Sequence, residues 1–392
     1  MTAFCTNSLN NAFQIIPFRF RGYANGVERN DRTRLFQITT SLDPKLGGPT
    51  SVVLATLKYL DHVFDHKLII FGKSLPSVSR QVSIPTFMNN RYGFTFKRLK
   101  FLGLHENRDT DIVLIHGFYL YSTLISLLFF KSGNIYLMPH GSLEEYQERV
   151  GKFRKYIFRL CLGLVLRNRE IHFLLGSHPE RKSVLKLFPN AKISVVGLGI
   201  SLEDMPLARV KTLNRPIKLF CMSRISGKKR IDLCVRAVEK LNILENRYSL
   251  EIIGSGELKL ENELRKLVAQ LNLEQVVKFS GFLEGREKSS AISASDILLL
   301  PSENENFAVA VAESIAAGKP VVVSKYVAMH EFVDRYKTGI TLDSLQVDDL
   351  VKAIEMVSEN YTQFQKNCID SLHKLSWEEV HKNWIRALTN WI

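Results

Sequence analysis

Short apolar runs separated by stretches of helical spacing set the rhythm of this chain. Ile297-Leu298-Leu299-Leu300 and Val321-Val322-Val323 are apolar at every position, the pattern of strands covered on both faces. In the second half such runs predict strands at Ile217–Met222, Ser249–Ile253, Val276–Phe279, Ile297–Leu300 and Val321–Ser324. Helices near 230–244, 259–271, 286–294 and 309–317 fill the gaps. The first half repeats the scheme less sharply. Strands are predicted from Leu35 to Thr40 and at Lys67–Phe71, Ile112–His116, Ile135–Met138, Ile171–Leu174 and Ile193–Val196, with a helix from about Ser51 to Leu60. Strand and helix in alternation imply parallel sheets with helices on both faces, an α/β class.

The pattern also breaks the chain into parts. Residues 1–33 are polar, arginine-rich and without a period, and read as a loose extension. Residues 34–205 form one predicted domain and 206–375 a second, with the polar, proline-punctuated stretch 201–215 at their junction. Residues 376–392 read as a terminal helix opened by the capping box Ser376/Glu379. Its tryptophans Trp377, Trp384 and Trp391 recur every seven residues, as a packing stripe does.

At 392 residues and 45% hydrophobic, the chain has material for two full cores. Five scattered cysteines without zinc or redox spacing favour a reducing compartment. No apolar run reaches the roughly 18 residues of a spanning helix. The N-terminus lacks the apolar core of a signal peptide, so a cytoplasmic protein is expected.

Charge changes the picture. The net charge is +14, and residues 1–205 hold most of it, with 27 Lys and Arg against 15 Asp and Glu. Such a field favours nucleic acid, an anionic membrane or a phosphorylated substrate. The densest segment, Val150 to Arg169, carries six cations and no acid. Over 149–169, Arg149, Lys152, Lys155 and Arg159 fall on one helical face and Phe153, Ile157, Leu160 and Leu164 on another. That suits a helix resting on an anionic membrane, on the inner face of the cell membrane, or a domain helix with a solvated basic face.

The candidate chemistry lies where predicted strands end. After Ile297–Leu300 comes an acidic loop and an apolar helix closed by Gly318, with Glu305 at the helix entrance and Glu313 about two turns inside. Carboxylates at the carboxyl end of a parallel sheet suit a ligand rich in hydroxyls. The loop after Ile217–Met222, Ser223-Arg224-Ile225-Ser226-Gly227-Lys228-Lys229-Arg230, offers amides and cations to a diphosphate, or is a solvated face. Gly254-Ser255-Gly256 and Ser280-Gly281-Phe282 end the next two strands; they bring backbone and an aromatic edge to a ligand, or simply turn. In the first half, His116-Gly117 and Pro139-His140-Gly141 end strands, where a histidine faces a ligand or caps a strand. Gly47 and Gly48 allow close backbone approach after the first strand, or make a turn.

Other classes fit less well. Asp109-Thr110-Asp111 has a metal-binding look but opens a strand instead of ending one, so no metal is expected. A nicotinamide-dependent oxidoreductase needs Gly-x-Gly-x-x-Gly after the first strand, which Leu46-Gly47-Gly48-Pro49 does not supply. A nucleic-acid-binding protein would interleave aromatic and basic residues in a recognition motif, and none is found.

Together these residues resemble family 4, or group 1, retaining glycosyltransferases of the GT-B fold, specifically from Ile217 to Thr341 and more loosely from Leu35 to Ile200. The resemblance implies two Rossmann-like domains facing a central cleft, a terminal helix crossing between them, and no metal or other cofactor. It implies transfer of a hexosyl unit from a UDP- or GDP-sugar to a glycan or a lipid-linked acceptor in surface polysaccharide or glycolipid synthesis. Arg224 and Lys229 match the family's cations on the donor diphosphate, Glu305 its sugar-binding and Glu313 its ribose-binding carboxylate. Asn306, Phe307 and Ala308 would line the sugar, Gly47 and Gly48 match the N-terminal glycine loop, and His140 matches the histidine near the anomeric carbon. Gly256 and Phe282 complete the expected donor site. The chain departs from the family in Ala308 for a usual Gly, Arg230 for a frequent Gly, and Val196-Gly197-Leu198-Gly199-Ile200 for a common Pro-Asn-Gly-Val.

Overall fold

A computed structural model describes residues 32–42, 48–71, 109–130, 134–144, 148, 151–166, 170–206, 208, 210, 212–243 and 247–390. They divide into two units: residues as far as Gly197 together with those from His381 on, and Leu198–Val380.

In the first unit, strands β1 (Arg34–Thr39), β2 (Asp65–Ile70), β3 (Ile112–His116), β4 (Asn134–Met138), β5 (His172–Leu175) and β6 (Lys192–Val195) pair in parallel in the order β2-β1-β3-β4-β5-β6. Helices α1 (Gly48–Leu60), α2 (Tyr121–Phe129), α3 (Lys152–Leu166) and α4 (His178–Leu187) alternate with them. Ile112, Val113, Leu114 and Ile115 are all buried, as a strand covered on both faces requires. Tryptophan 384 is fully buried and donates from Nε1 to the Gly197 carbonyl at 3.1 Å. Tyr136 Oη donates to the Ala387 carbonyl at 3.0 Å, so the end of the last helix is part of this unit's core.

In the second unit, β7 (Ile217–Met222), β8 (Tyr248–Ile253), β9 (Val277–Gly281), β10 (Ile297–Leu300), β11 (Val321–Ser324) and β12 (Gly339–Leu342) form a parallel sheet ordered β12-β11-β10-β7-β8-β9. Helices α5 (Ile231–Leu241), α6 (Leu258–Gln270), α7 (Gly285–Ala294), α8 (Val309–Ala316), α9 (His330–Tyr336), α10 (Val347–Glu359) and α11 (Tyr361–Ser371) accompany it, and α12 (Trp377–Thr389) closes the chain. Alternation along one strand assigns side chains to opposite layers. Leu219 and Cys221 pack with Val235 and Ile354, while Phe220 and Met222 pack with Val311 and Ile315. Burying one such side chain contributes roughly 1.5–3 kcal/mol.

The units part at Gly197/Leu198, ahead of the predicted 205/206. Backbone pairing explains the shift: Ile200 N–H donates to the Leu375 carbonyl at 2.8 Å and Trp377 N–H to the Ile200 carbonyl at 3.2 Å, which ties these residues to the second unit. Ser376 caps α12, its Oγ accepting from Glu379 N–H at 3.2 Å. Trp377 is buried beside Gly199, and Trp391 lies outside the described residues.

Candidate active site

The strand order of the second unit marks one place for a ligand. The chain leaves β7 for β8 on one side of the sheet and returns at β10 on the other. The carboxyl ends of β7 and β10 therefore flank a topological switch point, where open parallel sheets bind ligands. The loop Ser223–Arg230 leaves β7 there and Pro301–Ala308 leaves β10.

Lys229 and Glu305 meet across that point. Lys229 ends a single 3-10 turn, Gly227–Lys229, is 7% exposed, and its Nζ donates to Glu305 Oε1. Lys228 Nζ lies 3.9 Å from the same oxygen. Burial pulls the Lys229 pKa below its ordinary value, Glu305 opposes that, and the neighbouring charges of Lys228 and Arg224 add to the lowering. Arg224 is exposed at the loop's start. The carboxylate is fixed through its own backbone: Glu305 N–H donates to the Tyr326 carbonyl at 3.1 Å and Ala328 N–H to the Glu305 carbonyl at 2.9 Å. Glu303 N–H donates to the Lys228 carbonyl at 2.7 Å, joining the two loops directly.

Arg230 corrects one expectation. Its charge does not stand at the helix start for a ligand, because its guanidinium bonds Asp232 at 3.1 Å and Glu303 at 3.3 Å. Its backbone is left-handed, φ 50°, a conformation that favours glycine at this position.

The glycines after β8 are needed for protein contacts. A Cβ at Gly254 would collide with the Ser223 carbonyl and one at Gly256 with the Ile225 carbonyl. Ile225 N–H donates to the Ser255 carbonyl at 3.0 Å and Gly254 N–H to the Gly281 carbonyl at 2.6 Å. These bonds draw the ends of β7, β8 and β9 together. Phe282, next along, is 43% exposed.

Glu313 is 8% exposed in α8, and Lys288 of α7 donates to its Oε1 at 2.6 Å. Sequence reading missed Lys288, since nothing in its local pattern sets it beside α8. Asn306 and Phe307 lead into α8, and Ala308 is its N-cap at φ 62° and ψ 69°. The usual glycine would relax there. The alanine methyl carries a left-handed cost of roughly 1–2 kcal/mol.

In the first unit, Gly48 opens α1 with free space where a Cβ would stand, and Gly47 lies outside the described residues. His116 ends β3 and His140 follows β4 at φ 53°. Their rings stack with centroids 5.2 Å apart, and His116 Nδ1 lies 2.9 Å from His140 Nε2. Burial lowers both pKa values, His140 to about 4, and His140 also lowers His116. Glu180, fully buried, accepts from Gly141 N–H at 2.6 Å and Gly176 N–H at 3.2 Å, holding the loop that carries His140. Asp111 is engaged by Arg34 through bonds of 2.9 and 2.6 Å.

Helix α3 segregates its faces as expected, but their directions differ. Lys155 and Arg159 turn inward toward Glu148, at 3.7 and 2.7 Å, and Arg159 donates to Tyr119 Oη at 2.7 Å. Phe153, Ile157, Leu160 and Leu164 are the exposed side chains, Phe153 and Leu164 at 76%. Lys152 is exposed, and Arg149 lies outside the described residues. Glu148, half-buried, pairs with Lys155 and Arg159 and draws these two cations of the expected basic face partly inward.

Residues 204–374 match the family described as "Glycosyl transferases group 1". This stretch is a group 1 glycosyl transferase domain. The Lys229–Glu305 pair, Arg224, Lys288 and Glu313 all belong to this glycosyl transferase domain. The chain is similar to the amylovoran biosynthesis glycosyltransferase AmsK of Erwinia amylovora, 26% identical over 68% of this chain and 66% of that protein. It is 27% identical to the O-antigen biosynthesis glycosyltransferase WclY of Escherichia coli, over 51% of this chain and 58% of that protein. The matches thus span somewhat less than two thirds of these relatives. In architecture the chain resembles HepE of Anabaena, solved in complex with UDP, with a TM-score of 0.74, 16% identity and coverage of 91% of this chain and 100% of that one. The fold is GT-B.

Proposed function

We propose that the protein is a retaining glycosyltransferase that moves a hexosyl unit from a UDP- or GDP-sugar to a hydroxyl of a glycan or lipid-linked acceptor in surface polysaccharide synthesis. The Lys229–Glu305 pair at the β7/β10 switch point carries this reading. Breaking the bond between the anomeric carbon and the diphosphate builds negative charge on the leaving oxygens, while a bond forms to the acceptor oxygen and the acceptor's proton is released. Arg224, Lys228 and Lys229 are the cations for the leaving group, in the role a divalent metal would otherwise fill. Such preorganised donors are worth about 3–4 kcal/mol each. Glu305 orients the sugar hydroxyls, Glu313 the ribose, and His140 the reacting face of the sugar. The names of AmsK and WclY support polysaccharide synthesis, and the HepE complexes with UDP and UDP-glucose support a nucleotide sugar. The test is a thermal-shift screen of nucleotide sugars followed by turnover with and without EDTA. A donor at 100 times its Kd should stabilise by roughly 2.7 kcal/mol. No shift with any donor, or turnover that needs manganese, would remove the reading or its metal independence.

The exposed apolar face of α3 favours a membrane-side acceptor. Phe153, Tyr156, Ile157, Leu160 and Leu164 are all at least 44% exposed, with exposed Lys152 and Arg154 beside them. Among the described residues no helix is long and apolar enough to cross a membrane. A peripheral site on an anionic surface fits this helix.

A further inference from the structure

His140 is the histidine that the proposed reaction places nearest its chemistry, and its surroundings determine which ring nitrogen can act. The chain of bonds begins in α1. Thr56 has one hydroxyl proton, and its Oγ1 lies 2.9 Å from both the Val52 and the Val53 carbonyls. With its proton spent there, Oγ1 accepts from Gln37 Nε2 at 2.7 Å. The Gln37 amide is thereby set with its nitrogen toward Thr56. The same nitrogen faces His116 Nε2 at 3.4 Å. Gln37 is fully buried, and its Oε1 finds no partner among the described residues. Turning the amide over would bury two N–H donors at that unpartnered position, the costlier arrangement.

A nitrogen that accepts cannot also carry the ring proton of a neutral imidazole. His116 is neutral, buried as it is against a second imidazole. With Nε2 accepting from Gln37, its proton is on Nδ1, and Nδ1–H donates to His140 Nε2 at 2.9 Å. The same reasoning then applies to His140, whose proton must be on Nδ1. That nitrogen has no partner among the described residues. The loop cannot easily turn to offer the other edge, because Glu180 holds the adjacent Gly141 N–H.

We infer that Thr56, Gln37 and His116 form a relay of positioning residues that locks His140 as the Nδ1–H tautomer. His140 therefore meets the substrate as a neutral hydrogen-bond donor and not as a general base, since its one basic nitrogen is occupied by His116. The ligand atom it takes is an oxygen lone pair, a sugar or acceptor hydroxyl oxygen. The proton released by the acceptor must go elsewhere. The role in transfer rests on the proposed function; the tautomer does not.

The full chain labelled with 15N-histidine separates the two. Long-range imidazole correlations at pH 7.5 should show both His116 and His140 protonated at Nδ1. Nε2 protonation at His140 would overturn the inference whatever the enzyme does. His116→Asn keeps a donor near the Nδ1 position, and His116→Leu removes it. The Asn variant should keep the His140 tautomer and most of kcat. The Leu variant should mix the His140 tautomers and lower kcat on the order of tenfold with the donor KM little changed. Equal kcat losses in both variants with the tautomer unmoved would make His116 a packing residue only. If the Leu variant does not fold, the wild-type and Asn spectra still decide. If no donor is turned over at all, the spectra stand alone and the failure belongs to the proposed function.

Discussion

Lys229 donates to Glu305 across the carboxyl ends of β7 and β10, and it is the more buried of the two side chains, 9% exposed against 18%. Removing either partner is therefore unequal. Glu305→Ala leaves a buried ammonium without its acceptor and should cost about 2 kcal/mol of stability. Lys229→Ala removes the buried charge itself and should cost less. Both should lower transfer by roughly 100-fold or more while unfolding stays cooperative. Urea midpoints and initial rates for both variants check this. A larger stability loss for Lys229→Ala would mean that the pair is ordered the other way.

Position 308 offers a change of opposite sign. Ala308 holds φ 62°, so Ala308→Gly should raise stability by about 1 kcal/mol. The urea midpoint is the measurement, and an unchanged or lower midpoint would mean that the buried methyl outweighs the backbone cost.

The buried histidines make the fold sensitive to acid. Burial lowers the pKa of His66 and of His140 from 6.5 to about 4. Between those values the unfolded chain binds protons that the folded chain excludes. Stability is complete above pH 6.5 and falls as pH drops toward 4, by up to roughly 3 kcal/mol per group. The urea midpoint should fall between pH 7.5 and pH 5, and less steeply in His66→Leu. A midpoint level across that range would contradict the assignment.

Helix α3 predicts lipid dependence. Phe153→Glu and Leu164→Glu alter side chains that are 76% exposed, so folding should be unaffected. Co-sedimentation with anionic vesicles should fall about tenfold in each, since burying such a side chain contributes roughly 1.5–3 kcal/mol. Binding of the wild type should weaken with salt. No binding to either neutral or anionic vesicles would end the membrane reading and leave the transferase reading standing.

The strands were legible because parallel strands covered on both faces are apolar at every position, as in Ile297–Leu300. Strand β12 escaped because Gly339-Ile340-Thr341-Leu342 mixes small and polar residues; without it nothing framed α9, and α10 and α11 follow the last strand. Of the candidate site, Arg224, Lys229 and Glu305 were legible as charged residues in the loops after strands, and Glu313 as a carboxylate inside the helix that follows. Lys288 and Gln37 were not, because their partners, Glu313 and His116, are 25 and 79 residues away. The directions of the α3 faces were hidden for the same reason. Periodicity separates two faces, but which one turns inward depends on tertiary partners: Glu148 and Tyr119 for the cations, and the core around Leu162.

The pairing of Tyr136 with Ala387 and of Gly197 with Trp384 has a consequence for synthesis. The ribosome delivers the first unit's strands early, yet withholds the helix end that fills their core until the whole second unit has been joined. The second unit is continuous from Leu198 to Val380 and is complete sooner. A nascent chain halted at residue 380 is expected to carry a finished second unit and an unfinished first one, with an apolar seat for Trp384 still open to chaperones.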